Sequence, residues 1–434
     1  MRLASATAFD NTISTLAAKQ TAMNTQQDAV SAGLRVQQAS DDPISAASAE
    51  RAMSRITQLK ADQRALNVQR DSLATAESTL GTAGTLMQRF RELAVSAGNA
   101  SNNATDRTSM ANEMKSIREQ MVSLANTKDA NGVYLFSGLE AKSVNGVVTP
   151  AFTTTGSGAT LKYAFNGTAG QNSPTQSAVP FTMDGNATWM QVPKGNGVYD
   201  VTVPATNTGQ LSTDVGQFST TPNGGAMTSP YQISFTVTGT TDAPITTYSV
   251  NTVPATTPLL TGTYVPGQPI AFSDAATSPV VNVTVTVNGT PANGDAVSVA
   301  PYVPASAGPP PAAGNPASTS LFELMDTAIN GITSAASGSS TLAQTIAQTL
   351  TRMDSGADKL LAARGQAGVW LNRADSINDS NSSKSTQLET DRSNAQDLDY
   401  VAGISDLEKL KTGYQVAMQS YAQIQKLSLF DYLR

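Results

Sequence analysis

The chain has 434 residues, length for roughly two or three domains, with 27 Lys and Arg against 33 Asp and Glu, and no histidine or cysteine. Charged residues make up 14%, well under the roughly 25% of an ordinary globular protein. The missing residue types exclude disulfides, Cys or His zinc sites, Ser-His-Asp triads, Cys-His dyads and imidazole general-base catalysis.

The charge distribution argues against a nucleic-acid partner. Residues 1–140 carry 14 positive and 14 negative charges, residues 141–320 carry 3 and 6, and residues 321–434 carry 10 and 13. No segment has the basic excess that counterion release needs. No stretch approaches the roughly 18 apolar residues of a membrane span, so no membrane insertion is expected. The opening MRLASATAFDNTISTLAAKQ lacks a continuous apolar core, which predicts no cleaved secretory signal.

The first segment, 1–42, has a short amphipathic stripe: Phe9, Ile13 and Leu16 stand at i, i+4 and i+7. Asp41-Asp42-Pro43 reads as a helix start, with Asp42 as N-cap and Pro43 at the first helical position. A metal or catalytic carboxylate pair is the alternative; proline position and helix-dipole charge favour the cap. Proline then marks the larger boundaries. Of 21 prolines, 20 lie between Pro150 and Pro316, and the other is Pro43. The stretches 44–149 and 317–434 are therefore free to be long helices. Leu59, Leu66, Leu73, Leu80 and Met87 recur every seven residues. Ala76, Ala83 and Phe90 fall at the complementary offset, where Asp62 and Gln69 interrupt the column. Met110, Met114, Ile117, Met121 and Leu124 alternate steps of four and three. Gly98-Asn99 and the polar run to Asn103 predict a turn between two helices.

The middle block is rich in Thr, Val, Gly, Asn and Pro and contains no Arg or Glu, a strand-and-turn composition. Ser234–Val237 and Val281–Val287 alternate polar and apolar residues, as half-buried strands do. Asn-Gly pairs at 145–146, 166–167, 288–289 and 293–294 predict tight hairpins. Residues 141–316 read as one antiparallel β domain closed by a Gly-, Pro- and Ala-rich linker from Pro304 to Pro316. As an independent unit, residues 145–312 should be removable without loss of the helical part. The last block mirrors the first. Ile346, Leu350, Met353, Ala357 and Leu360 form one stripe, and Leu407, Leu410, Tyr414, Ala417, Tyr421 and Ile424 another. Helices at both chain ends most economically pair with each other. The end stripes are the predicted subunit interface: Phe9, Ile13, Leu16, Leu407, Leu410, Tyr414, Ala417, Tyr421 and Ile424.

No phosphate-binding loop occurs. Gly195-Asn196-Gly197 reads as a turn in a β-rich context, and Asp397-Leu398-Asp399 as a cap or turn, since residues two apart on a helix point apart. No catalytic, cofactor-binding or metal site is predicted, and the chain is not expected to be an enzyme.

Six segments in order carry a resemblance. SAGLRVQQASDDP (31–43), QRFRELAVSAGNAS (88–101), GVYLFSG (132–138), LFELMDTAI (321–329), RGQAGVWLN (364–372) and SLFDYLR (428–434) resemble the flagellin superfamily. NGDAVSVAP (293–301) is similar to a segment near the end of that family's middle domain. GVYLFSG and the DYL ending look more like the branch that joins hook to filament than like filament flagellin. The resemblance implies an α+β multidomain fold: a long helical coiled-coil or bundle rod from both chain ends, with the β-rich antiparallel insertion displayed outside. The expected parts are inner coiled-coil segments at 1–42 and 396–434, rod helices at 43–140 and 317–395, and the β domain at 141–316. It also implies unfolded export through the flagellar type III pathway and an extracellular place at the hook–filament junction. The implied partners are the first hook-associated protein, flagellin, further copies of the chain in a ring, and a cytoplasmic export chaperone. Filament flagellin itself, or a secreted helical stalk presenting a β-domain adhesin, are the alternatives. Gln88–Val95 resembles the flagellin segment read by a vertebrate Toll-like receptor, with Arg89, Arg91, Glu92 and Leu93 at matching positions; contact with a neighbouring subunit or solvent is the alternative role.

Overall fold

The computed structural model describes residues 2–432 except 145, 158–160, 194, 197, 205, 221–226, 228, 241–242, 255–256, 275–279, 302–317 and 337. The expected linker from Pro304 to Pro316 lies outside the described residues. Long helices occupy both ends of the chain and antiparallel strands the middle, as expected. The chain divides into two compact units, residues 1–66 with 375–434, and residues 67–374. The division falls inside α2 (Pro43–Ala97) and α5 (Ser340–Gln396), whereas the expected boundaries were after residues 42 and 395. Caps set where a helix ends; packing partners set where a unit ends.

In the first unit, α1 (Arg2–Ala32) pairs antiparallel with α6 (Tyr400–Tyr432). The start of α2 is capped as expected. The Asp42 carboxylate accepts from the Ile44 and Ser45 amides, both at 3.1 Å, and its carbonyl accepts from the Ala46 amide. Hydrogen bonds from Ser45 foremost, then from Arg35 and the Ile44 amide, hold the Asp42 carboxyl down to about 2. The sign follows. The folded value lies below the ordinary one, so the cap is fully formed above the ordinary carboxylate range and is lost as pH falls through about 2. A carboxyl NMR titration should place the Asp42 midpoint near 2, with the Ser45 amide shift following it. An Asp42 midpoint at the ordinary value would contradict the cap.

In the second unit the heptad columns are core. Leu66 closes the first unit's share; Leu73, Leu80 and Met87, with Ala76, Ala83 and Phe90, are all buried. Gln69, read as a break in the column, is itself buried, and its Oε1 accepts from the Val179 amide at 3.1 Å. The break is an anchor for a distant loop. α3 (Ala104–Ala125) follows the predicted turn and opens with a capping box between Asn103 and Asp106. Met114, Ile117 and Met121 are buried, together with Arg107. Arg107 donates to the Ala335 carbonyl at 3.2 Å, at the C-terminal end of α4 (Leu321–Ser334), where the helix dipole favours a cation. α2 is tied to α5 by Arg364–Glu77 at 2.6 Å and Arg91–Asp354 at 3.2 Å.

The β block is two bodies, not one. Between residues 143 and 192 lie two small hairpins, β1 (Ser143–Val144) with β2 (Val147–Val148) and β3 (Phe152–Thr155) with β4 (Lys162–Phe165), and a π-helical turn, Asn186–Met190. This part belongs to the helical core. Trp189 stacks on Phe322 of α4 at 5.8 Å, Phe152 meets Phe322 edge-on at 5.8 Å, and Phe136 meets Trp189 at 5.5 Å. Tyr163 donates to Asp326 at 2.7 Å, and Arg118 pairs with Asp326 at 2.6 Å. GVYLFSG supplies this centre with buried Tyr134, Leu135 and Phe136. The expectation that 145–312 is removable is therefore corrected. Its first third is core, because its aromatics have their partners on α4.

The second body is a sandwich. One sheet runs β10 (Pro258–Thr263), β9 (Ala243–Thr252), β8 (Tyr231–Thr240), β13 (Ala296–Pro301), β5 (Tyr199–Thr202). The other runs β11 (Pro269–Asp274), β12 (Val281–Thr290), β6 (Gln210–Thr213), with β7 (Gln217–Thr220) also on β12. Every pairing is antiparallel. The alternation in β12 is realised: Val281, Val283, Val285 and Val287 are all fully buried. The Asn-Gly expectation holds only for 145–146, between β1 and β2, with Asn145 itself outside the described residues. Gly289 instead lies inside β12 at φ +95°, where a Cβ would collide with the Gln210 carbonyl. Gly294 turns the chain between strands of different sheets, and Gly167 bridges Ala141. Asn-Gly signals a left-handed backbone or a close approach, and a hairpin is only one use of either. Gly195-Asn196 is a turn as expected, with the Asn196 side chain accepting from the Val198 and Tyr199 amides.

Candidate assembly surface

The candidate surface is built in the first unit, where both chain ends meet. α1 is followed by Gly33, whose φ of +71° lies in the left-handed region that favours glycine. Leu34 and Asp397 form an antiparallel bridge. The Arg35 amide donates to the Gln396 carbonyl at 2.8 Å, and the Leu398 amide to the Gly33 carbonyl at 3.0 Å. The Arg35 guanidinium donates to the Ala395 carbonyl at 2.8 Å and pairs with Asp42 at 3.3 Å. The turn before α2 and the turn before α6 are thus fastened to each other. Asp399 caps α6, accepting from the Val401 and Ala402 amides, while Asp397 accepts from the Ser393 hydroxyl. The two carboxylates have separate structural duties, as the spacing implied.

Beyond this clasp the two helices meet along a half-buried seam. On α1 it consists of Thr12, Leu16, Lys19, Met23, Gln26 and Val30, in steps of four and three. On α6, Gly403 is buried and Leu407, Leu410, Tyr414, Ala417 and Tyr421 are half-buried. Gln26 donates to the Gly403 carbonyl at 3.0 Å. Of the predicted interface residues, Leu16 and these five on α6 lie in the seam. Ile13 lies outside it, 42% exposed. The side chains of Phe9 and Ile424 lie outside the described residues. Sequence reading missed Met23 and Val30 because Thr12, Lys19 and Gln26 alternate with them and hide the period. The outward face carries Ile13, Val401, Ile404, Val416 and Met418, all exposed, with Val401 at 80%.

The segment around Arg89 lies in the second unit. The Arg89–Glu92 pair forms at 3.3 Å, but Arg89 also reaches Glu113 on α3 at 2.8 Å, and Glu113 is the main cause of its raised guanidinium pKa. Arg91 is held by Asp354. Leu93 is 6% exposed and turned into the bundle, so it is not presented with the other three. Among the described residues no cluster of three acidic side chains could hold a metal ion, and no helix is long and apolar enough to cross a membrane.

Comparison with known proteins bears on this architecture. The bacterial flagellin N-terminal helical region matches residues 5–141, and the flagellin C-terminal helical region matches residues 350–433, together just over half of the chain. The chain belongs to the flagellin superfamily. Flagellar hook-associated protein 3 of Salmonella typhimurium is 33% identical over 146 residues, which is 33% of this chain and 45% of that protein. Flagellin 1 of Proteus mirabilis is 33% identical over 118 residues, 26% of this chain and 32% of that protein. The chain thus spans less than half the length of these curated relatives. Solved structures match over more of the fold. Xanthomonas campestris FlgL superposes with a TM-score of 0.61 at 26% identity, covering 79% of this chain and 98% of that one. The flagellar junction protein FlgL from Legionella pneumophila gives 0.60 at 25%, covering 75% and 99%. In this superfamily chain the matched helical regions contain the clasp and the paired ends, while the sandwich lies between them.

Proposed function

We propose that this chain is the subunit that joins hook to filament in the bacterial flagellum. It would form a ring between the first hook-associated protein and the flagellin filament. Its role there is structural and not enzymatic. The observation that carries the reading is the likeness to solved FlgL structures over nearly their whole length, one of them the flagellar junction protein of Legionella pneumophila. The open apolar face of the α1–α6 pair supports assembly with further copies and with both flanking proteins. Export would be unfolded, through the type III pathway, with a cytoplasmic chaperone. Filament flagellin is the second reading, since Flagellin 1 of Proteus mirabilis has the same 33% identity as the hook-associated relative, over 118 residues against 146.

A deletion strain complemented with variants tests the proposal. Loss of the gene should give hooks without filaments and flagellin in the medium. Ile404→Asp should reproduce that phenotype by charging the outward face, without unfolding the monomer. Leu410→Asp should do so by placing a carboxylate in the half-buried seam between α1 and α6, which weakens the pairing of the two ends. Normal filaments in the deletion strain would overturn the junction role. Loss of all filament protein along with the gene would favour the flagellin reading.

A further inference from the structure

The sandwich has a core of its own. Tyr199, Tyr231, Phe235, Val250, Val283 and Val297 pack there with other residues of the strands, and among the described residues no helix side chain belongs to that cluster. The tie between the sandwich and α5 has a different chemistry. β5 is the last strand of one sheet, and β6 lies beside β12 in the other. Both are held by Gln344, Gln348 and Arg352, which stand one helical turn apart on α5. Gln344 donates to the Thr213 hydroxyl of β6 at 3.0 Å and accepts from the Thr213 amide. Gln348 donates to the Val201 carbonyl of β5 at 2.9 Å, and Arg352 meets both Asp200 oxygens at 3.4 Å. That last pair is poorly satisfied. Charge-assisted bonds normally close to about 2.7–2.9 Å, and the Arg352 Nε is buried without a partner. The sandwich is entered and left at the Val192–Thr319 bridge.

We propose that the three α5 side chains form a latch, and that the sandwich moves between a docked and a released position about the Val192–Thr319 bridge. An interface within one chain is rigid when it is large and apolar. Here the sandwich core stays closed on release, because its own strands build it. What opens is a ladder of polar groups, and water replaces their hydrogen bonds almost in kind. Burial of the Asp200–Arg352 pair adds a cost to docking that its long contacts recover only in part. The docked and released positions are therefore close in free energy. Gln344 and Gln348 are neutral, so the charged rung is the one that most strongly sets the balance. The bridge keeps both of its main-chain bonds in either position, which makes it the pivot. The proposal does not depend on the chain's place in the flagellum.

Double electron–electron resonance on the full chain is the test. The chain has no cysteine of its own, so Thr236→Cys on β8 and Gln366→Cys on α5, both exposed, take the spin labels cleanly. With the ladder intact, the labelled chain should give two distances, one of them that of the docked structure. Arg352→Ala should raise the ratio of released to docked about tenfold or more, because Asp200 then regains a partner only in water. Asp200→Leu combined with Arg352→Met should lower that ratio, since an apolar pair of similar volume docks without the desolvation cost. Circular dichroism checks that each variant is folded. The distances with the ladder intact stand even if a ladder variant misfolds. A single distance in that chain, a ratio that Arg352→Ala leaves unchanged in a folded protein, or an apolar pair that fails to shift the population toward docking would each overturn the proposal.

Discussion

A chain in which residues 194–317 are replaced by Asn-Gly should fold, whereas one lacking residues 145–312 should not. The sandwich is entered and left at a single point. Val192 and Thr319 exchange both main-chain hydrogen bonds, at 3.1 and 3.0 Å. Pro193 and Ser318 then stand opposite each other, and Asn-Gly closes that gap as a two-residue turn. The excision removes the sandwich's contacts with α5: Gln344 with Thr213, Gln348 with the Val201 carbonyl at 2.9 Å, and Arg352 with Asp200 at 3.4 Å. Arg352 and the two glutamines then return to water, so no charge is left buried and alone. The longer deletion instead takes away Phe152, Tyr163 and Trp189, which are buried around Phe322. Losing a buried large aromatic costs about 3–5 kcal/mol, and three such losses consume the roughly 5–15 kcal/mol that holds a domain together. Circular dichroism and thermal unfolding of both deletions decide the point. A shorter deletion without helical signal, or a longer one that melts cooperatively like wild type, would refute the division at Val192.

Phe322→Ala should destabilise the second unit by about 3–5 kcal/mol, more than any single change on the helix surfaces. Phe322 is fully buried. Its ring lies 5.8 Å from Trp189, 5.8 Å from Phe152 and 5.1 Å from Tyr163. The packing around it joins α4 to both the β3–β4 hairpin and the π-helical turn, so the cavity cannot close by moving one element. Phe181→Ala is the matched control. That side chain is 42% exposed, and its loss should change stability by about 0.5 kcal/mol or less. Chemical denaturation followed by tryptophan fluorescence reads both, because Trp189 stacks on the altered position. Equal effects from the two variants would show that this aromatic centre is not the core of the unit.

Local signals in the sequence were sufficient for a large part of this protein. The cap at Asp42, the turn at Gly98-Asn99, the seven-residue columns of α2 and the alternation of β12 each depend on neighbours within a few residues. Composition likewise separated helical ends from a β-rich middle, and proline placed that boundary. Pairing of the two ends was legible, and so was the periodicity of the α6 stripe, but the sequence assigned that stripe to a subunit interface whereas it lies in the seam between α1 and α6.

Tertiary contacts decided the rest. Residues 143–192 and 199–301 share one composition, yet the first joins the helical core because its aromatics meet Phe322, more than a hundred residues away. Gln69 looked like a fault in a heptad until a loop 110 residues on used it as an acceptor. Arg107 has no local reason to be buried; the end of α4 supplies one. Ile13 and Leu16 share a stripe in sequence but lie on opposite sides of the seam boundary, because the position of α6, fixed by the Gly33–Val36 and Gln396–Leu398 hydrogen bonds, chooses which face is covered. Periodicity shows that a helix has an apolar side. Only the partner, held by contacts between residues far apart in the chain, determines which of those side chains are enclosed and which remain open for another molecule.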